Sequence, residues 1–235
     1  MHMRTIIAAV TVAALSSALP ARAELGPCRD DGTRTLLCGS GVGAARVIPD
    51  TASPDKRFAF AWHNAESAPD DVDEDSRGNE WLLIRLADGK VLAKAETDYF
   101  YTATLTANRQ WEQAIWSPDA RLVLRRYETR YSFDALTLYR LEGDTLAGQV
   151  DLSKIVDGAV RSALKKLGRP VEDHVVATGN KATLRNDGTL RIAAIGSVIK
   201  KPETDVSFAL VIKTTASKGG LAARLVSIKR LPDDE

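Results

Sequence analysis

The sequence predicts a mainly β fold of three repeated antiparallel units of three to four strands, packed as a propeller or as an open sandwich, with one inserted amphipathic helix. The first observation behind this is a Ser-Pro-Asp stretch that occurs twice, with its aspartate at Asp55 and at Asp119. The second is the alternation of side-chain character after each stretch, which is typical of strands. The third is a single segment, residues 151–170, whose apolar residues follow helical spacing.

The two similar stretches read ASPDKRFAFAW and WSPDARLVLRR. Serine followed by proline and aspartate favours a type I turn, because proline presets φ at the second position and the serine side chain caps the turn. After the first turn, Phe58, Phe60 and Trp62 alternate with smaller or polar residues, which predicts a strand. The element therefore predicts a turn that leads into a strand, and not a site of chemistry.

A hairpin follows each of these strands. WLLIRLADGKVLAKAE contains two apolar strands around an Asp-Gly turn, and DALTLYRLEGDTLAGQVDL contains two more around Glu-Gly-Asp. A third copy, RNDGTLRIAAIG, places Asp187 at the corresponding turn and is followed by its own hairpin. The chain thus predicts three units, at about residues 44–96, 110–152 and 182–231, with a period of about 65 residues.

The Ser-Pro-Asp-x-Arg turn, preceded by Trp116 in the second copy and followed by an apolar strand and a hairpin, resembles the blade repeat of TolB-type β-propellers. The resemblance is fullest over residues 114–141, less full over residues 47–96, and least in the third unit, which lacks the serine and the proline. It implies blade-like sheets and contacts with other proteins. With only three units and a long period, an open or sandwich-like packing is as compatible with the repeats as a ring.

A helix is predicted at about residues 153–167, between the second and third units. Apolar side chains fall on one face of this segment, Asp151 or Ser153 can cap its start, and Gly168 with Pro170 ends it. We expect this face to pack against the sheets of the same chain. Binding of a partner by the helix is the alternative.

The first 23 residues have the pattern of a cleavable secretory signal, with Arg4 ahead of an apolar run and small residues at Ala21 and Ala23. We expect the mature chain to begin at Glu24 and to form a single β-rich domain, residues 24–235. No later segment is apolar enough to span a membrane. The sequence therefore predicts an exported protein, periplasmic or secreted.

Cysteine content and charge narrow the classes of partner and cofactor. Cys28 and Cys38 are the only cysteines, and in an exported chain their spacing fits one disulfide better than a Cys-x-x-Cys redox site or a zinc knuckle. Cleavage after Ala23 removes two arginines, so that 30 basic side chains face 31 acidic ones. This balance gives no reason to expect nucleic acid or an anionic membrane as the partner.

The connection over residues 64–80, NAESAPDDVDEDSRGNE, is long and acidic. Carboxylates at alternating positions suit a hard cation such as calcium, and the candidate ligands are Asp71, Asp73, Asp75 and Glu80. The order of residues departs from the EF-hand loop, because glycine comes too late and the closing glutamate is missing. We therefore expect no cofactor and a solvated acidic loop, with calcium as the alternative.

Two histidines remain after signal cleavage, His63 and His174. Each lies near carboxylates and could serve as a general base or a metal ligand. No nucleophile elbow, His-Glu-x-x-His helix or Ser-x-x-Lys element accompanies them. We interpret both as structural or surface histidines, and a secreted hydrolase, metal-assisted or not, is the alternative function.

Aromatic residues concentrate between Tyr99 and Tyr139, and Tyr131 with Phe133 fall where a short loop is expected. Aromatic side chains in such a loop are candidates to anchor a partner protein. An exported, repetitive, β-rich chain without a recognisable catalytic set is best interpreted as a binding or protein-interaction module of the bacterial envelope. Its expected partner is an envelope or extracellular protein, contacted through the Tyr131 loop and the acidic connection.

Overall fold

The computed structural model describes residues 24–32, 35–73, 75–100, 110–129, 133–169, 174–198, 201–217 and 220–232. Within them the chain forms three open antiparallel sheets and one α-helix, which confirms the predicted fold class. Each sheet is a meander, because its strands are neighbours in the order in which they occur along the chain. In the described part of the chain, no helix combines the length and the apolar character needed to cross a membrane.

The sheets follow one another along the sequence, and α1 (Ser153–Lys166) lies between the second and the third. Sheet 1 contains β1 (Cys28–Asp30), β2 (Leu36–Cys38), β3 (Ala45–Val47), β4 (Phe58–Asn64), β5 (Asn79–Arg85) and β6 (Lys90–Glu96). Sheet 2 contains β7 (Gln110–Trp116), β8 (Leu122–Thr129), β9 (Phe133–Glu142) and β10 (Thr145–Asp151). Sheet 3 contains β11 (His174–Leu184), β12 (Thr189–Val198), β13 (Lys201–Ser217) and β14 (Gly220–Arg230).

The first two Ser-Pro-Asp turns have the same hydrogen bonds. Ser53 Oγ donates to Asp55 Oδ1 at 2.6 Å and accepts from the amide of Phe58 at 3.0 Å. Ser117 Oγ donates to Asp119 Oδ1 at 2.7 Å and accepts from the amide of Leu122 at 2.9 Å. The serine thus closes the turn and satisfies the first amide of the strand that follows, which is the structural role inferred from the sequence.

The third turn keeps the backbone geometry with different side chains. Lys56, Ala120 and Gly188 each follow the turn aspartate with a positive φ, of 57°, 58° and 78°. The amide of each donates to the carbonyl three residues earlier, at 2.9 to 3.0 Å. Arg185 takes the place of the serine, and Asp187 Oδ1 accepts from the amide of Thr189 at 3.0 Å. The three turns are therefore equivalent, and each joins the strand before it to the rest of its sheet.

Sheet 2 lies between the other two sheets and contributes to two of the three apolar cores that the described residues form. On one face Val123, Tyr139 and Leu141 join a cluster with the aromatic residues of sheet 1. On the other face Leu122, Leu124, Leu136 and Leu138 join a cluster with α1 and sheet 3. On the opposite face of sheet 1, Cys38, Ala45, Ala61 and Leu82 belong to the third cluster. Successive side chains of a strand point to opposite faces of the sheet, so each strand can contribute to both cores.

The helix packs into the core between sheets 2 and 3, as expected. Val156, Val160 and Leu164 are fully buried on one face of α1. A Cβ atom at Gly196 of β12 would lie 2.7 Å from a terminal carbon of Leu164. This close approach explains a glycine near the end of an otherwise apolar strand.

The predicted disulfide between Cys28 and Cys38 is present and joins directly paired positions of β1 and β2. Beside it, the fully buried side chain of Arg46 forms ion pairs with Asp31 at 2.9 Å and with Asp70 at 2.8 Å. Arg46 therefore links the hairpin of β1 and β2, which contains the disulfide, to the acidic connection.

Candidate functional site

A polar pocket of about 720 Å³ lies between sheets 1 and 2. Its lining joins aromatic rings with charges of both signs. Sheet 1 and the residues after β6 supply Lys94, Glu96 and Asp98, and sheet 2 supplies Arg125, Tyr127, Tyr139 and Asp151. We refer to it below as the intersheet pocket.

The floor of the intersheet pocket contains a buried ion pair. Arg125 donates from Nε and from one terminal nitrogen to the two carboxylate oxygens of Glu112, at 2.9 and 2.8 Å. The guanidinium carbon of Arg125 lies 4.3 Å from the ring centroid of Trp81 and 5.6 Å from that of Tyr127. Tyr139 stacks on Trp81 from the pocket side of the core, with centroids 5.3 Å apart. The planar guanidinium thus bridges a carboxylate and an aromatic cluster.

Burial changes the acidity of two groups at this floor. Desolvation raises the pKa of Glu112 to about 7, although the Coulomb attraction and the hydrogen bonds of Arg125 oppose the change. Desolvation likewise raises the pKa of Tyr139 to about 12. The phenol of Tyr139 therefore stays protonated at neutral pH, and it already has a hydrogen bond with the side chain of Thr137.

The rim of the intersheet pocket is acidic. Both of its cations are already paired with carboxylates, Arg125 with Glu112 and Lys94 with Glu80 at 2.7 Å. Glu96 and Asp98 are exposed, and neither forms a hydrogen bond or an ion pair within the described residues. Two unneutralised carboxylates beside aromatic rings favour a positively charged ligand.

His63 belongs to β4 of sheet 1, and both of its ring nitrogens contact hydrogen-bond acceptors. Nε2 is 2.8 Å from Glu80 Oε2, and Nδ1 is 3.3 Å from the carbonyl oxygen of Gly43. The carboxylate of Glu80 also binds Lys94, and hydrogen bonds from Lys94 and His63 lower its pKa against the opposing effect of desolvation. A general base needs a ring nitrogen that faces a substrate, and this arrangement leaves none.

His174 is the first residue of β11, where it pairs with Val198. Its side chain lies outside the described residues. The two histidines belong to different sheets, His63 to sheet 1 and His174 to sheet 3.

The acidic connection is attached to the body of the protein at several points. Val72 is buried in the core between sheets 1 and 2, just after the short 3₁₀ turn Pro69–Asp71. Asp73 Oδ1 accepts from the hydroxyl of Ser76 at 2.8 Å and from the amide of Asp75 at 3.1 Å. The hydrogen bond from Ser76 lowers the pKa of Asp73. The carboxylates of this loop therefore organise the loop itself.

The four candidate calcium ligands do not share one role. Asp73 and Asp75 belong to the same turn, and Glu80 points to His63 and Lys94. Asp71 is exposed at the end of the 3₁₀ turn. Across the described residues, no three His, Cys, Asp or Glu side chains form a group that could hold a metal ion.

The predicted aromatic contact residues lie at the limit of the described chain. Tyr131 is outside the described residues. Phe133 is the first residue of β9 and pairs with Glu128, and its side chain is likewise not described. As docking residues, both stay predictions.

Sequence reasoning missed the intersheet pocket and its buried ion pair. A signal for the buried charge of Arg125 was present, because Val123 and Tyr127, which share its face of the strand, are apolar and aromatic. A charge at an inward-facing position of a strand needs a partner, since burial of an unpaired charge is costly. The sequence did not indicate which carboxylate was that partner.

Comparisons with protein-family models, with curated proteins and with solved structures found no match for this chain.

Proposed function

We propose that this chain is an exported, non-catalytic binding module of the bacterial envelope, and that a protein partner places a basic side chain in the intersheet pocket. The observation that carries the proposal is the acidic, aromatic-lined pocket between sheets 1 and 2. Its volume of about 720 Å³ is ample for one or two side chains of an extended peptide.

The chemistry of the pocket favours a cation over an anion. Glu96 and Asp98 offer carboxylates without a partner among the described residues, and the rings of Tyr127 and Tyr139 form part of the lining. A guanidinium or ammonium group gains from both, because carboxylates attract it and aromatic faces carry partial negative charge. An anionic ligand would instead meet the carboxylates of Glu96 and Asp98 at the rim.

Export is supported by the signal-like pattern of residues 1–23 and by the disulfide, which is consistent with an oxidising compartment. The resemblance of the Ser-Pro-Asp units to TolB-type blades supports contact with a protein, since that family implies such contacts. Fold alone does not assign function, so the pocket carries the proposal.

A secreted hydrolase is the second candidate function, and the 2.8 Å contact between His63 and Glu80 favours it. The contact of Nδ1 with the carbonyl of Gly43 opposes it, because the ring then has no nitrogen directed at a substrate. A panel of hydrolase substrates tests this candidate, and turnover that disappears in His63→Gln or His174→Gln would replace the binding module by an enzyme.

The binding proposal is tested with the mature protein and a short fluorescent peptide in which arginine alternates with serine. Fluorescence anisotropy should report binding of this peptide, and a peptide with citrulline in place of arginine should bind at least about tenfold more weakly. The double variant Glu96→Gln/Asp98→Asn should show a similar loss. Asp50→Asn/Glu66→Gln is the matched control, because it removes the same charge from exposed positions outside the pocket.

Two outcomes would overturn the assignment of the pocket. One is the absence of arginine-dependent binding to the wild-type protein, and the other is an equal loss in the two double variants. Export is tested separately by the mass of the protein recovered from the periplasm or the medium, which should correspond to a chain that begins at Glu24.

A further inference from the structure

A second, apolar groove of about 560 Å³ lies between α1 and the edge of sheet 3. Hydrocarbon side chains of the helix and of β13 and β14 form most of its lining, among them Ile155, Ala159, Phe208, Leu225 and Ile228. The polar side chains that line it are Ser162, Lys166 and Arg230. We refer to it as the helix groove. It does not share a lining residue with the intersheet pocket.

Both cations lie at the same end of the helix groove. The close approach of Leu164 to Gly196 places the C-terminal half of α1 over that part of β12. The register of β12, β13 and β14 aligns Arg230 two residues from Gly196. Lys166 follows Leu164 by two residues in α1. The groove therefore has an apolar body and a cationic end.

The surface around the helix groove is basic, although the chain as a whole is nearly neutral. Together, α1 and β14 carry seven basic side chains and one acidic side chain, Asp157, which pairs with Arg161 at 2.9 Å. Residues 152–235 carry fifteen basic and nine acidic side chains, whereas residues 24–100 carry nine basic and fifteen acidic ones. Basic residues are thus in excess in the C-terminal part of the chain, which supplies every lining residue of this groove.

We propose that the helix groove binds a single-chain anionic amphiphile, a long-chain carboxylate, with its hydrocarbon chain between α1 and β14 and its carboxylate at Lys166 and Arg230. The volume lies within the usual range of small-molecule sites. Burial of methylene groups against the apolar lining favours binding, and so does the attraction between the carboxylate and the two cations.

A hydrocarbon chain fits this lining better than a peptide does. A peptide laid along the groove would bring backbone amides and carbonyls against side chains that are almost all apolar, and their loss of water is costly without hydrogen bonds. A methylene chain carries no such groups. The charge complementarity at one end then fixes the orientation of the amphiphile.

Gly158 provides a sharp test, because it lines the helix groove and a Cβ atom built on it has no neighbour within 4 Å. Gly158→Leu should fill part of the groove without a clash. Gly158→Ala is its matched control, with nearly the same backbone effect and little added volume. Both variants should fold at least as stably as the wild type, because glycine is unfavourable inside a helix.

The probe is cis-parinaric acid, a fluorescent fatty acid, added to the mature protein and displaced by dodecanoate or by 1-dodecanol. We expect saturable binding, a loss of about tenfold in affinity in Gly158→Leu, and a change within about twofold in Gly158→Ala. Lys166→Gln should lower the affinity for dodecanoate by about three- to tenfold and leave the affinity for dodecanol unchanged.

Absence of saturable binding, or equal affinity in Gly158→Leu and Gly158→Ala, would overturn the groove as the site. If dodecanol and dodecanoate displaced parinaric acid equally well, the assignment of a carboxylate ligand would be overturned. Glu96→Gln/Asp98→Asn should bind parinaric acid as the wild type does, so a failure of the peptide experiment and a failure of this one are distinguishable.

Discussion

The guanidinium of Arg125 covers the ring of Trp81 at 4.3 Å while its nitrogens bind Glu112. This one side chain joins the aromatic core of sheet 1 to a carboxylate of sheet 2, and it also lines the intersheet pocket. Stability and ligand binding are therefore coupled at Arg125.

Removal of one member of the buried pair should be costly. Arg125→Met leaves the carboxylate of Glu112 buried without its partner, and we expect a loss of about 3–5 kcal/mol in the free energy of unfolding. The double variant Arg125→Met/Glu112→Leu should recover most of this loss, because no buried charge remains. Urea unfolding of the three proteins measures both, and a double variant as unstable as Arg125→Met would contradict the explanation.

The carboxyl of Glu112 should make stability depend on pH. Its pKa is about 7 in the folded protein, against an ordinary value of 4.5. Between these values the folded state holds a proton that the unfolded state has lost, so this contribution to stability is complete below the unfolded pKa and disappears as pH rises through the folded one. At about 1.4 kcal/mol per pKa unit it amounts to a few kcal/mol.

We therefore expect the Tm of the wild type to fall between about pH 5 and pH 8, and Glu112→Gln to remove most of this slope. Thermal melts across this range measure it. A slope that is unchanged in Glu112→Gln would assign the pH dependence to other groups.

The serines of the first two turns should each contribute to the free energy of unfolding. Ser53 and Ser117 are almost fully buried, and each accepts a hydrogen bond from the amide that starts the next strand. Alanine at either position leaves that amide without its acceptor, which should cost about 1–3 kcal/mol. Arg185→Ala at the exposed corresponding position of the third turn is the control and should change stability little. Denaturant unfolding distinguishes the two cases.

Reduction of the Cys28–Cys38 disulfide should destabilise the protein, because the bond closes a short loop in the unfolded chain. The expected loss is about 2.5–3 kcal/mol from chain entropy. Melting curves with and without reductant measure it, with Cys28→Ser/Cys38→Ser as a variant that reductant should not affect. Alkylation of two thiols in the native protein without reductant would show that the bond does not form.

The acidic connection should respond weakly to calcium. Glu80 is held by His63 and Lys94, and Asp73 is held within its own turn, so a calcium ion would have to compete with these contacts. We expect coincident melting curves in millimolar calcium and in chelator, for wild type and for Asp73→Asn alike. An increase in Tm with calcium that is lost in Asp73→Asn would instead establish a metal site, because selective binding to the folded state raises its stability.

Local patterns in the sequence were sufficient to predict the turns, the strand-rich units, the helix and the disulfide. Proline and serine at the turns, alternation after them and helical spacing at α1 all act over a few residues, where chain geometry leaves few choices. The equivalence of the Asp55, Asp119 and Asp187 turns followed from the same local rules. The paired cysteines are only ten positions apart, so their pairing was also nearly local.

Tertiary structure alone decided the sites, because each is made by elements that are distant in sequence. Lys94 and Arg125 meet in the intersheet pocket only when sheet 1 packs on sheet 2, and Gly158 faces Ile228 only when α1 packs beside β14. The excess of basic residues after residue 151 is visible in the sequence, but its place beside the helix groove depends on the packing of α1 on sheet 3. Local preferences fix the elements, whereas the partner of a buried charge and the lining of a groove depend on which faces are brought together by burial of apolar surface.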